Sequence, residues 1–250
     1  GSAQSTYVRT TAGYLFDRGY DIFRLNLRDH GQSHHLNKGL FFGTLFDEVF
    51  EAVQQVAKLA ANVPFFVAGF SLRGNYALRI ARELSRRSIP EICHVVAVSP
   101  VLDPGRATDV VDRTLFYRYY FLKKWKKSLA CKQQLYPDLY DFSGVLAHNT
   151  ILGLTADLLP RCSPFDRPAD YFRTYTLTGE ALENIAVATT IITSKDDPII
   201  PVQDFYGLRL NDLTDLIVHA HGGHNGFIQN YRLNVWYEKA MAEIFARHGN

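Results

Sequence analysis

Strand-sized apolar runs alternate with helix-patterned stretches along this chain, and no other feature narrows its fold as much. Phe65-Phe66-Val67-Ala68 is a continuous run of the kind that forms a strand buried on both faces, and His94 to Val98 is a second, closed by Ser99-Pro100. Val187 to Thr193 and Leu216-Ile217-Val218 repeat the theme, while Asp21 to Leu27 alternates apolar and polar residues with a strand's period of two. Between the runs, Phe46, Val49, Phe50, Val53, Ala57 and Ala60 line one face of a helix that should end near Asn62-Val63-Pro64. Tyr76 to Arg87 reads as a second helix, and Leu233, Trp236, Ala240, Ile244 and Phe245 as the apolar face of a closing one. Strands separated by helices favour a parallel sheet with helices on its faces.

The pattern changes between Pro104 and Thr178, where aromatics, prolines and helical spacing replace buried-strand runs. The expected organisation is a core in two parts, residues 1–103 and 185–250, with a helical cap inserted over residues 104–184. At 250 residues the chain can bury one substantial core, and 47% hydrophobic with 21% charged residues argues against extended disorder. The net charge of +2 is too small to mark a nucleic-acid binder. The longest apolar runs fall far short of the roughly 20 residues that cross a bilayer. Cys93, Cys131 and Cys162 lack metal-site spacing and cannot all pair, so a reducing cytoplasm is expected. The chain starts at Gly1 and its only methionine is Met241, which reads as a sequence that has lost something upstream.

GFSLRGN, Gly69 to Asn75, sits where an apolar run meets a helical stretch. A serine hydroxyl is a weak nucleophile until a base takes its proton and donors stabilise the oxyanion formed on attack. A strand that turns sharply into a helix projects the hydroxyl and aims free N–H groups of the first helical turn at the reacting oxygen. Ser71 has that setting, with the Leu72 N–H as one oxyanion donor. A base and its orienting acid would follow in the order Ser, Asp, His. Asp197, in SKDDPIIP, and His224, in HAHGGHNGF, each follow a strand-sized run, at the carboxyl ends where open parallel sheets place their sites. Each residue also has a plainer reading: Ser71 as a small polar turn residue, Asp196-Asp197-Pro198 as a turn, His224 as a loop histidine bonded to a carbonyl. Their joint order after strand ends is what favours a triad.

RLNLRDHGQSHHLNKGLF, GFSLRGN, DDPIIP and GGHNGF each resemble, in this order, a segment of the α/β-hydrolase superfamily, and specifically of its YheT-like branch of esterases and acyl hydrolases. The resemblance runs from near Gly1 to the C-terminus. It implies an α/β-hydrolase fold, a mostly parallel sheet flanked by helices with a helical cap insertion. It further implies Ser71 as nucleophile, Asp197 as orienting acid with Asp196 as the alternative, and His224 as base. It places several strands and a His-Gly-Trp-type loop ahead of Gly1, the loop giving a second oxyanion N–H; the chain is expected to lack these N-terminal strands. One departure is Arg73, where the family's G-x-S-x-G-G-N pattern has glycine. An arginine there needs room, some of it from Gly69, or must swing into the pocket or solvent, and is expected to lower or redirect activity.

The expected activity is hydrolysis of carboxylic esters through an acyl-enzyme, with no metal or organic cofactor. Acyl transfer to an alcohol uses the same machinery, and a catalytically silent binder of a ligand or partner is the alternative from a different class. Phe116, Tyr119, Phe121, Trp125, Tyr171 and Phe172 suggest an apolar acyl pocket; Arg73, Phe116, Tyr119 and Trp125 are the candidate substrate-binding residues. His219 and His221 could hold a metal, yet no metallohydrolase motif accompanies them, and His30, His34 and His35 are expected to shape a loop beneath the pocket. LFYRYYFLKKWKKSL mixes aromatics and lysines in a way that could stack bases or lie on an anionic membrane. Leu115, Tyr119, Leu122, Trp125 and Leu129 at helical spacing point instead to a cap helix with a solvated basic face. The expected partner is a small-molecule or lipid-like ester, without nucleic acid or stable membrane insertion.

Overall fold

Two parallel neighbours in a sheet need a crossover between them, and helix-patterned stretches supply the crossovers here. The computed structural model describes residues 2–60 and 63–248. Strands β1 (Phe65–Phe70), β2 (Ile92–Val98), β3 (Thr189–Ser194) and β4 (Thr214–His219) form one sheet in the order β1-β2-β3-β4, every neighbouring pair parallel. The helices are α1 (Thr6–Phe16), α2 (Phe46–Leu59), α3 (Leu72–Glu83), α4 (Pro104–Arg113), α5 (Leu115–Leu135), α6 (Ile151–Cys162), α7 (Pro168–Arg173), α8 (Gln203–Tyr206) and α9 (Trp236–His248). The chain divides into a sheet unit, Thr6–Arg24, Leu45–Asp103 and Thr176–Asn250, and a helical unit, Gly1–Ser5, Leu25–Thr44 and Pro104–Tyr175.

In the sheet unit, successive side chains of β1 point to opposite faces. Gly69 faces α3: a Cβ there would lie 2.3 Å from the Arg73 carbonyl oxygen and 2.8 Å from Ala77 Cβ, so only glycine lets this helix close onto the strand. Phe70 points the other way, into a cluster with Val96, Val98, Ile192, Tyr237 and Phe245. Helix α1, which no sequence pattern announced, packs there through Leu15, and its buried Thr11 hydroxyl donates to Glu238 of α9 at 3.2 Å. Helix α3 starts at Leu72, ahead of the expected Tyr76, and α2 ends at Leu59, the expected stop at Asn62 lying outside the described residues.

Three expectations are corrected in this unit. β1 is not buried on both faces: Phe65 to Val67 are half-buried and Ala68 is exposed, because among the described residues β1 is an edge strand with β2 as its one neighbour. Asp21 to Leu27 forms no strand. Asp21, Phe23, Arg24 and Leu25 are all exposed, so burial does not follow the sequence alternation, and a period of two makes a strand only where a neighbour offers a ladder. Leu233 is exposed and lies ahead of α9 at φ +59°, outside the helix it was expected to join.

The helical unit has its own core of Leu40, Leu122, Leu129, Phe142, Val145, Leu154 and Leu158, with Trp125 packed against it. Residues 25–44 are fastened to α5 by a buried ion pair, Lys132 Nζ to Asp29 Oδ1 at 2.6 Å. The same ammonium donates to the carbonyls of His34 and Asn37 at 3.1 and 2.6 Å, and Asp29 Oδ2 accepts the Phe41 N–H at 2.9 Å. The predicted inward stripe of α5 is half right: Leu122, Trp125 and Leu129 face the core, whereas Leu115 and Tyr119 are exposed. Cys93, Cys131 and Cys162 are free thiols, and no described helix is long and apolar enough to cross a membrane.

Candidate active site

The backbone at Ser71 sits at φ +55° and ψ −124°, a conformation that a residue with a Cβ adopts only when its surroundings hold it there, at about 1–3 kcal/mol. The holding groups are local. The Ser71 N–H donates to Val98 O at 2.9 Å, and the Ser71 carbonyl accepts from Asn75 N at 3.2 Å and Val101 N at 3.3 Å. Asn75, wholly buried, donates through Nδ2 to Val101 O at 2.8 Å, tying the start of α3 to the loop after β2. Gly74 lets that loop approach, since a Cβ there would come within 2.9 Å of Pro100 Cβ. The motif's last two residues thus brace the turn that its serine strains. The Leu72 N–H, first in the helix, donates to no group among the described residues.

His224 lies in the loop after β4. Gly223, Asn225 and Phe227 have φ of +54°, +62° and +48°, and a Cβ on Gly222 would meet the Phe227 ring at 2.7 Å, so the path of the loop depends on that glycine. Asp196 clamps this loop: its Oδ1 accepts the Gly222 and Gly223 N–H groups at 2.8 and 2.9 Å. These bonds, the one from Gly223 foremost, pull the Asp196 carboxyl down to about 2. Ser194 Oγ donates to Gly223 O at 3.0 Å and Tyr237 Oη to Asn225 O at 3.1 Å.

Asp197 meets the imidazole. Its Oδ2 lies 2.9 Å and its Oδ1 3.2 Å from His224 Nδ1, and its side chain is fully buried. Oδ1 also accepts the N–H groups of Ile199 and Ile200 at 2.8 and 2.9 Å, which fix the carboxylate. A carboxylate only accepts, so the imidazole proton sits on Nδ1 and the Nε2 lone pair faces the Ser71 hydroxyl at 3.0 Å. The geometry chooses Asp197 over Asp196 as the group that can orient His224. Sequence reasoning offered Asp196 only as an alternative acid and gave Asn75 no part, because the roles of both depend on backbone bonds across the fold.

Arg73 is accommodated rather than expelled. It does not swing into solvent: Nε and Nη2 are sealed from water without a hydrogen-bond partner, and its charge is felt by Tyr7 and Tyr76. Burial pushes its pKa down, with those two tyrosines acting the other way. Gly69 makes the room by letting the Arg73 backbone sit on the strand. Orphaned donors cost stability, so Arg73→Met is expected to raise the free energy of unfolding by about 1–2 kcal/mol in urea titrations; a lower midpoint would mean that the guanidinium has a compensating partner.

Phe116 and Tyr119 are exposed on α5, and Trp125 is part of the helical unit's core. The His219 ring packs on Trp236 at 3.9 Å, whereas His221 is exposed beside Asp196 at 3.5 Å, so the two do not converge. His34 Nε2 lies 2.7 Å from Ser128 Oγ. A groove of about 700 Å³ lined by Arg82, Arg86, Glu180 and Asn211 includes none of Ser71, Asp197 and His224.

No family model matches the chain. It is 26% identical over 248 residues to slr0264 of Synechocystis sp., a protein that bears the name of an esterase, covering 90% of this chain and 66% of that protein. The chain therefore spans just under two thirds of that relative's length. Among solved structures, the serine hydrolase CCSP0084 of Cycloclasticus zankles matches with a TM-score of 0.61 at 15% identity, over 98% of this chain and 86% of that one. The Pyrococcus furiosus esterase Pf2001 matches with a TM-score of 0.56 at 19% identity, over 100% and 79%. With its parallel sheet, its strained serine between strand and helix, and these likenesses to solved structures, the chain has an α/β-hydrolase fold.

Proposed function

We propose that this protein is a serine hydrolase of carboxylic esters, of the YheT-like branch, acting on a small-molecule or lipid-like ester. The observation that carries the reading is the unbroken run of hydrogen bonds from Asp197 through His224 to the Ser71 hydroxyl. His224 Nε2 takes the hydroxyl proton as Ser71 Oγ attacks the ester carbonyl, and the Leu72 N–H stabilises the oxyanion. Collapse of the tetrahedral species expels the alcohol, protonated by His224. Water, deprotonated by the same imidazole, then cleaves the acyl-enzyme and restores the serine. Asp197 keeps the imidazole in the tautomer that accepts from serine and stabilises the imidazolium. The relay is intact with Arg73 two residues away, which supports an active enzyme over a silent binder.

A fluorophosphonate probe tests this directly, because it reacts with a serine only where a base activates the hydroxyl. Labelling at Ser71 that disappears in Ser71→Ala is the expected result, together with turnover of p-nitrophenyl esters. Folded protein that takes no label would set the hydrolase reading aside in favour of ligand binding without chemistry.

A further inference from the structure

Helix α5, LFYRYYFLKKWKKSLACKQQL, contains Arg118, Lys123, Lys124, Lys126, Lys127 and Lys132 and no acidic residue, in a chain whose net charge is only +2. Lys132 is buried in its pair with Asp29, and Leu122 and Leu129 are buried beside it, which fixes the inward face. Residues four apart are neighbours on a helix surface. Away from the core, two such rows run along the helix, Leu115-Tyr119-Lys123-Lys127 and Phe116-Tyr120-Lys124. Both begin apolar and end cationic. Leu115, Phe116 and Tyr119 are 72%, 71% and 67% exposed, and Tyr120, Lys123, Lys124 and Lys127 are exposed with them. The ammonium groups lean back on the aromatics: Lys124 Nζ donates to Tyr120 Oη and lies 4.2 Å from that ring's centroid, and Lys123 Nζ lies 5.8 Å from the Tyr119 centroid.

A merely solvated basic face would need no leucine and phenylalanine held bare on its first turn. Exposed apolar groups gathered on one ridge mark a surface that something covers. Three features choose the occupant. Leu115 and Phe116 carry no polar group, so they gain nothing from a phosphate backbone and much from acyl chains. Tyr119 and Tyr120 are apolar rings with polar tips, which suit the boundary between acyl chains and headgroups. The lysines, one or two turns further on and with no carboxylate on the helix to neutralise them, complement anionic headgroups.

We propose that the exposed ridge of α5 docks this protein, peripherally and reversibly, on anionic lipid surfaces. Leu115 and Phe116 enter the acyl boundary, Tyr119 and Tyr120 lie at the headgroup level, and Lys123, Lys124 and Lys127 contact lipid phosphates and carboxylates. This goes beyond ester hydrolysis and does not depend on it.

The test is cosedimentation of the whole chain with sucrose-loaded phosphatidylcholine vesicles, with and without phosphatidylserine. Binding should need phosphatidylserine and weaken as salt rises, since exposed charges are screened. Phe116→Ser/Tyr119→Ser and Lys123→Glu/Lys127→Glu should each lower the partition coefficient on the order of tenfold or more, with unchanged circular dichroism because all four positions are exposed. Ser71→Ala should sediment like the parent, so a failure of the hydrolase reading leaves this one standing. Absence of sedimentation at low salt overturns the proposal, as does binding that neither double variant weakens. Tighter binding to single-stranded RNA, lost only with the lysines, would assign the ridge to nucleic acid instead. Concentration-dependent dimerisation abolished by Phe116→Ser/Tyr119→Ser would assign it to a second copy.

Discussion

Asp197→Asn is expected to lower kcat for ester hydrolysis on the order of ten-thousandfold while leaving the fold intact. The size of the loss follows from how the carboxylate is held. Asp197 Oδ1 accepts two backbone N–H groups, from Ile199 and Ile200. In the variant only the amide oxygen can fill that position, so the amide nitrogen must face His224 Nδ1. A nitrogen that donates there makes Nδ1 an acceptor and moves the imidazole proton to Nε2, toward Ser71. The base then presents a proton to the hydroxyl it should deprotonate. The neighbouring Asp196→Asn is a matched control, because its amide oxygen still accepts from Gly222 and Gly223 and the loop stays closed. It should lose far less. Steady-state kinetics on a p-nitrophenyl ester with both variants decide the matter, and a larger loss in Asp196→Asn would transfer the orienting role to that residue.

The site was legible to the extent that its parts are local. A serine between an apolar run and a helix, and an acid and a histidine each just past a strand-sized run, are marked by residues within a few positions of themselves. What holds them is not local. Asn75 reaches Val101 across the sheet's rim, and Asp196 reaches the glycines beside His224 from the preceding strand's loop. Neither partner is close in sequence, so composition and periodicity are silent about both. For Arg73 the sequence left two outcomes open, room taken partly from Gly69 or a swing into the pocket or solvent. The close approach falls on its backbone, which Gly69 accommodates, and its side chain lies beside Tyr7 and Tyr76.

The fold divides in the same way. β2 and β3 were readable because both are buried along nearly their whole length, and burial writes itself into sequence as a continuous apolar run. Asp21 to Leu27 carries an equally clear alternation and forms no strand, since the ladder depends on a neighbour that the segment itself cannot announce. Helix α1 escaped notice because it buries only Thr11 and Leu15, too narrow a stripe to set a period of 3.6. Along α5 the error came from treating every apolar residue at helical spacing as inward, when Leu115 and Tyr119 continue the spacing beyond the part of the helix that has a core to face.

Lys132→Met is expected to destabilise the protein by about 3–5 kcal/mol, the usual effect of removing one partner from a buried ion pair. For a chain of this size that lowers the melting temperature on the order of 10 °C. Three losses combine. The Asp29 carboxyl is left buried with the Phe41 N–H as its remaining bond, and the carbonyls of His34 and Asn37 lose their donor. Residues 25–44 are thereby released from α5 at the point where they are fastened most strongly. Methionine fills much of the volume of the lysine stem, so the penalty reports charge and hydrogen bonding rather than a cavity. Asp29→Asn in the Lys132→Met background replaces the unpartnered carboxyl by a neutral amide whose oxygen still accepts from Phe41. The double variant should therefore recover part of the loss, with a coupling energy of about 1–3 kcal/mol in a double-mutant cycle. It should not recover all of it, because the two carbonyls remain without their donor. Lys124→Met, on the exposed side of the same helix, should change stability by no more than about 0.5 kcal/mol. Urea titrations of the parent, Lys132→Met, Asp29→Asn, the double variant and Lys124→Met test the account: penalties that simply add, or a Lys132→Met midpoint equal to the parent's, would show that the pair does not hold residues 25–44 to the helix.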